Sequence, residues 1–170
     1  MVHELFHLYT RGHPKEKEIL YRSIGFSKFR EIEFPNSLKN KKITNPDAPI
    51  NDSMIKVRSQ NDEVWVMPIL YSSSENYSLK KGGEFFSYLQ FKLLVLADKN
   101  RVNTYNADKP VILDVSQVKG FFEQIGKNTK YILHPEEILA DNFAALVLKK
   151  DKMPSPEILE KIRKVFTSFK

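Results

Sequence analysis

The spacing of apolar residues divides the chain into helical ends and a strand-like middle. Residues 2 to about 11 carry a helical pattern that Gly12 and Pro14 interrupt. Residues 15–23 follow as a second helix, with Ile19, Leu20 and Ile24 on one side and Gly25 as its stop. From Phe29 to Phe34 apolar and charged residues alternate, the period of a strand with one buried face, and Pro35 ends it. Residues 36–52 are polar, include Thr44-Asn45-Pro46-Asp47-Ala48-Pro49, and read as an ordered-turn segment or long loop.

β-branched and aromatic residues dominate 54–57, 64–71 and 85–96, which read as strands of an antiparallel sheet, with residues 111–113 as one further short strand. Residues 72–76 and Gly82-Gly83 are loop chemistry. Residues 116–125 read as a helix with Val118, Phe121, Phe122 and Ile125 on one face. Another helix runs from Pro135 to about 148, with Pro135 at its first position and Glu136 and Glu137 at the positive end of its dipole. Ser155-Pro156-Glu157 opens a last amphipathic helix through Ile158, Leu159, Ile162, Val165 and Phe166. The expected fold class is α+β, with helices near both ends around an antiparallel β-rich middle, in a single domain spanning residues 1–170.

Composition sets outer limits on this picture. Apolar residues make up 41% and charged residues 28%, ordinary values for a globular domain, and no apolar run approaches the length of a membrane span. The net charge of +6 is spread along the chain without the clustered, aromatic-interleaved footprint of a nucleic-acid binder. No nucleic-acid or membrane partner is therefore expected. The N-terminus has no signal segment, which makes a cytoplasmic location the default. With no cysteine in the chain, any metal is held by histidine and carboxylate.

The chemistry begins at His3-Glu4-Leu5-Phe6-His7, an HExxH motif. On a helix, residues four apart share a face, so two imidazoles can converge on one zinc ion. The Glu between them is placed to act as general base on water. Because the motif starts at residue 3, the chain is expected to lack an upstream N-terminal part of its catalytic domain.

Two residues compete as third ligand. His13 reproduces the outer spacing of HExxHxxGxxH, although Thr10 stands where that motif has glycine and the glycine comes two positions later, at Gly12. Glu137, in His134-Pro135-Glu136-Glu137-Ile138-Leu139-Ala140-Asp141, has Asp141 one helical turn on. One carboxylate could then bind zinc while the next orients a ligating histidine. Glu136 is explained by helix-start electrostatics and has Ala140, not a carboxylate, four residues on.

The HExxH segment together with Glu137 and Asp141 resembles the gluzincin metallopeptidases, the thermolysin-like group whose third ligand is a glutamate on a later helix. The match covers these two helices only, and the stretch between them exceeds the usual gluzincin gap, so a sheet-bearing insertion is expected. The resemblance implies a Zn2+ cofactor held by His3, His7 and Glu137, with Asp141 behind a ligand. It also implies peptide-bond hydrolysis, with a peptide or protein as substrate and Glu4 as general base. Tyr131 and His134, just before the Glu137 helix, are candidate donors to the oxyanion, as is Tyr9. Their ordinary roles would be a core edge for Tyr131 and a helix cap for His134. A metallopeptidase-like binding domain without turnover is the alternative from another class.

Overall fold

A computed structural model describes residues 1–74, 76, 78, 80, 84–98, 101–102, 104–105 and 109–169. Two helices lead the chain, α1 (Val2–Gly12) and α2 (Pro14–Ser23), followed by β1 (Phe26–Lys28), the short α3 (Asn36–Lys39) and β2 (Lys42–Ile43). The long strands are β3 (Ser53–Ser59), β4 (Asp62–Ser72) and β5 (Leu89–Asp98), with β6 (Arg101–Val102), β7 (Thr104–Tyr105), β8 (Lys109–Pro110), β9 (Ile112–Leu113) and β10 (Val118–Lys119) as short pieces. Three helices close the chain: α4 (Phe121–Ile125), α5 (Pro135–Val147) and α6 (Pro156–Ser168). This is a mixed α+β architecture with helices at both ends.

Every pairing in the sheet is antiparallel, and its order runs β1-β3-β4-β5-β6. The β3–β4 hairpin pairs Ser59 with Asp62 at its turn, and β4–β5 runs from Val66 opposite Val95 to Ser72 opposite Leu89. Successive side chains on a strand face opposite ways. Accordingly Ile55, Val57, Val66, Leu93 and Val95 enter the main core, while Met54, Met67, Ile69, Leu94 and Leu96 enter a second one. The main core also takes Phe6 from α1, Leu20 and Ile24 from α2, Ile138, Leu139 and Ala140 from α5, and Ile158 and Ile162 from α6. The helices therefore pack on one face of the sheet, and the segment carrying Ile32 and Leu38 covers the other.

Several local expectations change. Residues 29–34 turn Ile32 inward and leave Arg30, Glu31 and Glu33 exposed, yet they form no strand. Their backbone meets the chain at Phe29 N–H to Asp52 O (2.7 Å) and Ile32 N–H to Asn51 O (3.2 Å). Residues 85–88 form a 3-10 turn before β5 begins. The expected helix over 116–125 is broken up: Val115–Gln117 form a 3-10 turn, Val118–Lys119 are β10, and Gly120, with a left-handed φ of +90°, leads into the α-helical Phe121–Ile125. Within 36–52, residues 45–48 form a tight turn closed by an Asn45–Ala48 bridge. The expected Gly82-Gly83 loop lies outside the described residues. Among the described residues, no helix is long and apolar enough to cross a membrane.

Candidate metal centre

Helix α1 buries Phe6, His7 and Thr10 on one side, while Leu5 and Leu8 face outward, and that buried side packs against α5 with the Phe6 and Phe143 rings 5.6 Å apart. His3 and His7, one turn apart on the same side, are thereby carried to the first turns of α5. His134 caps that helix through Nδ1, which accepts the Glu136 N–H at 3.1 Å, and Pro135 occupies its first turn. Glu136, Glu137 and Asp141 then project toward α1.

Each imidazole is held by a carboxylate through Nδ1: His3 by Asp141 Oδ1 at 2.9 Å, and His7 by Glu136 Oε1 at 3.1 Å. A ring that donates from Nδ1 in its neutral form presents a lone pair at Nε2. Both Nε2 atoms face Glu137: His3 Nε2 lies 3.1 Å from Oε2, and His7 Nε2 lies 3.6 Å from Oε1. His7 is 2% exposed, and its Nε2 has no hydrogen-bond partner. With both rings donating from Nδ1, the Nε2 lone pairs and the Glu137 carboxylate would converge on one partly buried place, which is unfavourable unless a proton or a cation joins them. Ligand atoms about 2 Å from one tetrahedral ion lie about 3.3 Å apart; the closest approaches here, 3.1 Å and 3.6 Å, are of that order but run to different oxygens of Glu137. The donor atoms of His3, His7 and Glu137 all fall within 4.8 Å of one another. Two imidazoles and one carboxylate are the donor types of a zinc site with an open position. These residues fit the metal.

Glu136 does more than its place at a helix start suggested. It is 1% exposed, accepts from the Thr10 hydroxyl at 2.5 Å and from the Tyr21 hydroxyl, and pairs with Lys17 Nζ at 3.0 Å. Burial works to raise its pKa. The Thr10 and Tyr21 hydrogen bonds, the Lys17 charge and the His7 contact outweigh that and hold it below the ordinary carboxylate value. Glu136 is therefore a buried anion that fixes the His7 tautomer. A signal for it was present in the sequence: Thr10 lies three residues past His7, and Lys17 and Tyr21 share a face of α2.

Asn45 was also missed. Its amide donates to Glu137 Oε1 at 2.8 Å, from a turn whose Asx geometry (Asp47 N–H to Asn45 Oδ1, 3.0 Å) was legible as turn chemistry but not as part of a site. The same turn delivers Asp47, paired with Arg11 at 2.8 Å. Carboxylate oxygens of Glu4 and Asp47 and a ring nitrogen of His7 lie within 4.8 Å of one another, so the exposed Glu4 side chain borders the metal position.

The two expected oxyanion donors separate. Tyr131 is 44% exposed, and its hydroxyl pKa is raised by burial of part of the ring and by the charges of Glu137, Asp47 and Asp141. Its loop is braced by Tyr131 N–H to Thr129 Oγ1 (3.0 Å) and by the Thr129 hydroxyl to Asp141 Oδ2. His134 instead has its ring committed to the cap. It faces Tyr21 and a 210 Å³ cavity lined by Thr10, Lys17, Tyr21 and others, among which are none of His3, His7 and Glu137. Burial lowers its pKa to about 3, so the ring is neutral. Tyr9 stacks on His13 with centroids 4.3 Å apart, and His13 donates from Nδ1 to Tyr9 O at 2.8 Å. His13 is exposed at the α1–α2 corner and is not among the residues whose donor atoms converge. The chain matches no protein-family model, no curated protein and no solved structure, so this geometry is the ground for any functional reading.

Proposed function

We propose that the chain is a zinc-dependent peptide hydrolase with His3, His7 and Glu137 as ligands and Glu4 as general base. One observation carries the reading: the unpartnered, buried Nε2 of His7 faces Glu137 and His3 at spacings that suit one metal ion. When bound, zinc supplies a Lewis acid that makes water a better nucleophile and polarises a carbonyl. The residues of the chain do the rest. Asp141 and Glu136 hold the two rings in the tautomer that binds metal. Glu4, exposed beside His7, accepts a proton from the attacking water and returns it to the leaving amine as the C–N bond breaks. Tyr131, a phenol that stays protonated at neutral pH, donates a hydrogen bond to the carbonyl oxygen as negative charge builds there.

The test is zinc binding and cleavage of a fluorogenic peptide mixture by the full chain, set beside Glu4→Gln. Cleavage by the wild type, with Glu4→Gln binding zinc equally but turning over about 10²- to 10⁴-fold more slowly, supports the reading. Zinc bound tightly by a wild type that cleaves nothing overturns the catalytic part and leaves a metal-holding binding domain. No zinc binding overturns the whole.

A further inference from the structure

Glu137 has two oxygens, and the structure treats them differently. Oε2 lies against His3 Nε2 at 3.1 Å, whereas Oε1 accepts the Asn45 amide N–H at 2.8 Å as well as facing His7 at 3.6 Å. The orientation of that amide is fixed from the other end. Its oxygen accepts the Asp47 N–H at 3.0 Å, so its NH2 group has to face the carboxylate. The turn is closed a second time by Ala48 N–H to Asn45 O at 3.1 Å, and Asn45 itself is buried at 8% exposure. Among the described residues, no other side chain besides the two histidines bonds to Glu137.

A glutamate at a metal can bind through one oxygen or both, and the choice sets how many positions remain for water and substrate. We propose that Asn45 is a positioning residue that confines Glu137 to one-oxygen ligation. Its N–H occupies Oε1 and leaves Oε2, the oxygen beside His3, for the ion. The long 36–52 segment is then part of the metal centre, and its turn keeps the coordination sphere open. This rests on the zinc reading above.

The experiment uses the full chain loaded with Co2+, whose visible d–d absorption weakens as coordination number rises. Asn45→Ser is the informative variant. A serine hydroxyl can still accept the Asp47 N–H and keep the turn, but it is too short to reach Glu137. Asn45→Ala removes both contacts. With folding verified by circular dichroism, the expected result is a weakened cobalt spectrum in both variants and zinc affinity lowered about 10-fold in competition with a chelator. A wild-type spectrum in folded Asn45→Ser overturns the proposal, whether or not Asn45→Ala keeps it, because the turn rather than the bond to Glu137 would then matter. A wild type that takes up no cobalt, or takes it up equally after His7→Ala, overturns the metal reading itself, an outcome distinct from failure of the Asn45 role alone.

Discussion

His3 donates from Nδ1 to Asp141 Oδ1 across 2.9 Å, and the other oxygen of the same carboxylate takes the Thr129 hydroxyl. One side chain therefore sets both the ring that would bind metal and the loop that presents Tyr131. Replacing Asp141 with alanine frees the His3 ring to rotate and to carry its proton on the wrong nitrogen. Zinc affinity is expected to fall about 10- to 100-fold, read by competition with a chelator. An unchanged affinity in a folded Asp141→Ala protein would remove Asp141 from the site.

Tyr131→Phe keeps the ring and deletes only the hydroxyl. The expected outcome is zinc content equal to wild type with kcat lowered about 100-fold and KM nearly unchanged, since the donor is used only as charge develops on the carbonyl oxygen. A full kcat would exclude Tyr131 from the reaction.

Burial of His134 gives the metal-free protein a pH-dependent stability. Its pKa falls to about 3 chiefly through burial, with the Glu136 charge opposing and the Lys17 and His7 charges assisting. Between that value and the ordinary histidine value of about 6.5, the unfolded chain binds more protons than the folded one. The His134 contribution is therefore whole above about pH 6.5 and is lost as pH falls toward 3. Glu136, whose pKa is lowered, contributes stability that is lost only further down, below about pH 4.5. The metal-free protein is expected to lose Tm steadily from pH 7 to pH 5. His134→Asn, which keeps a side-chain oxygen for the helix cap but does not titrate, should flatten that slope. Parallel Tm curves for the two proteins would assign the slope to other groups.

Gly126 has a φ of +74°, and a Cβ built there would stand 2.5 Å from Ile158 Cγ1 and 2.9 Å from Ser155 Cβ. With ψ at −172° the position lies in a backbone region essentially confined to glycine, so alanine meets a strain of roughly 1–3 kcal/mol and overpacking against α6 of roughly 1–3 kcal/mol. The Lys127 N–H to Ser155 Oγ bond (3.0 Å) and the Asn128–Ser155 pair (2.7 Å each way) follow directly, and they anchor the loop leading to Tyr131. Gly126→Ala is expected to shift the urea midpoint markedly downward. A midpoint within error of wild type would show that the corner relaxes without cost.

The parts of the site legible in the sequence are those set by helical period alone. The His3/His7 pair and the Glu137/Asp141 pair each lie four residues apart on one helix, and the structure brings both pairs to one centre. Glu136 was misjudged because its neighbour Glu137 and the helix dipole already accounted for an acidic first turn. Its role depends on α2, whose Lys17 and Tyr21 reach it only through packing. Asn45 was hidden for a similar reason: a turn motif reports local backbone geometry, not which distant carboxylate its amide meets. At His13 the spacing was satisfied but the backbone was not. The chain turns there with φ −129°, and the ring folds back onto Tyr9. Residues 29–34 make the same point for strands, since alternation records which side chains face a core and pairing needs a neighbour at the right edge.

The contacts that build the centre join residues far apart along the chain, His3 to Asp141 and His7 to Glu136 being separated by 138 and 129 positions. A metal ion shared by α1 and α5 would therefore clip a loop of nearly the whole chain. Closing so long a loop removes freedom from the unfolded ensemble, on the order of 4–5 kcal/mol for a covalent link of about that length. The ion would act as a staple as well as a reagent. Because both helices must already be docked before its ligands meet, metal uptake would report that the two ends of the chain have come together.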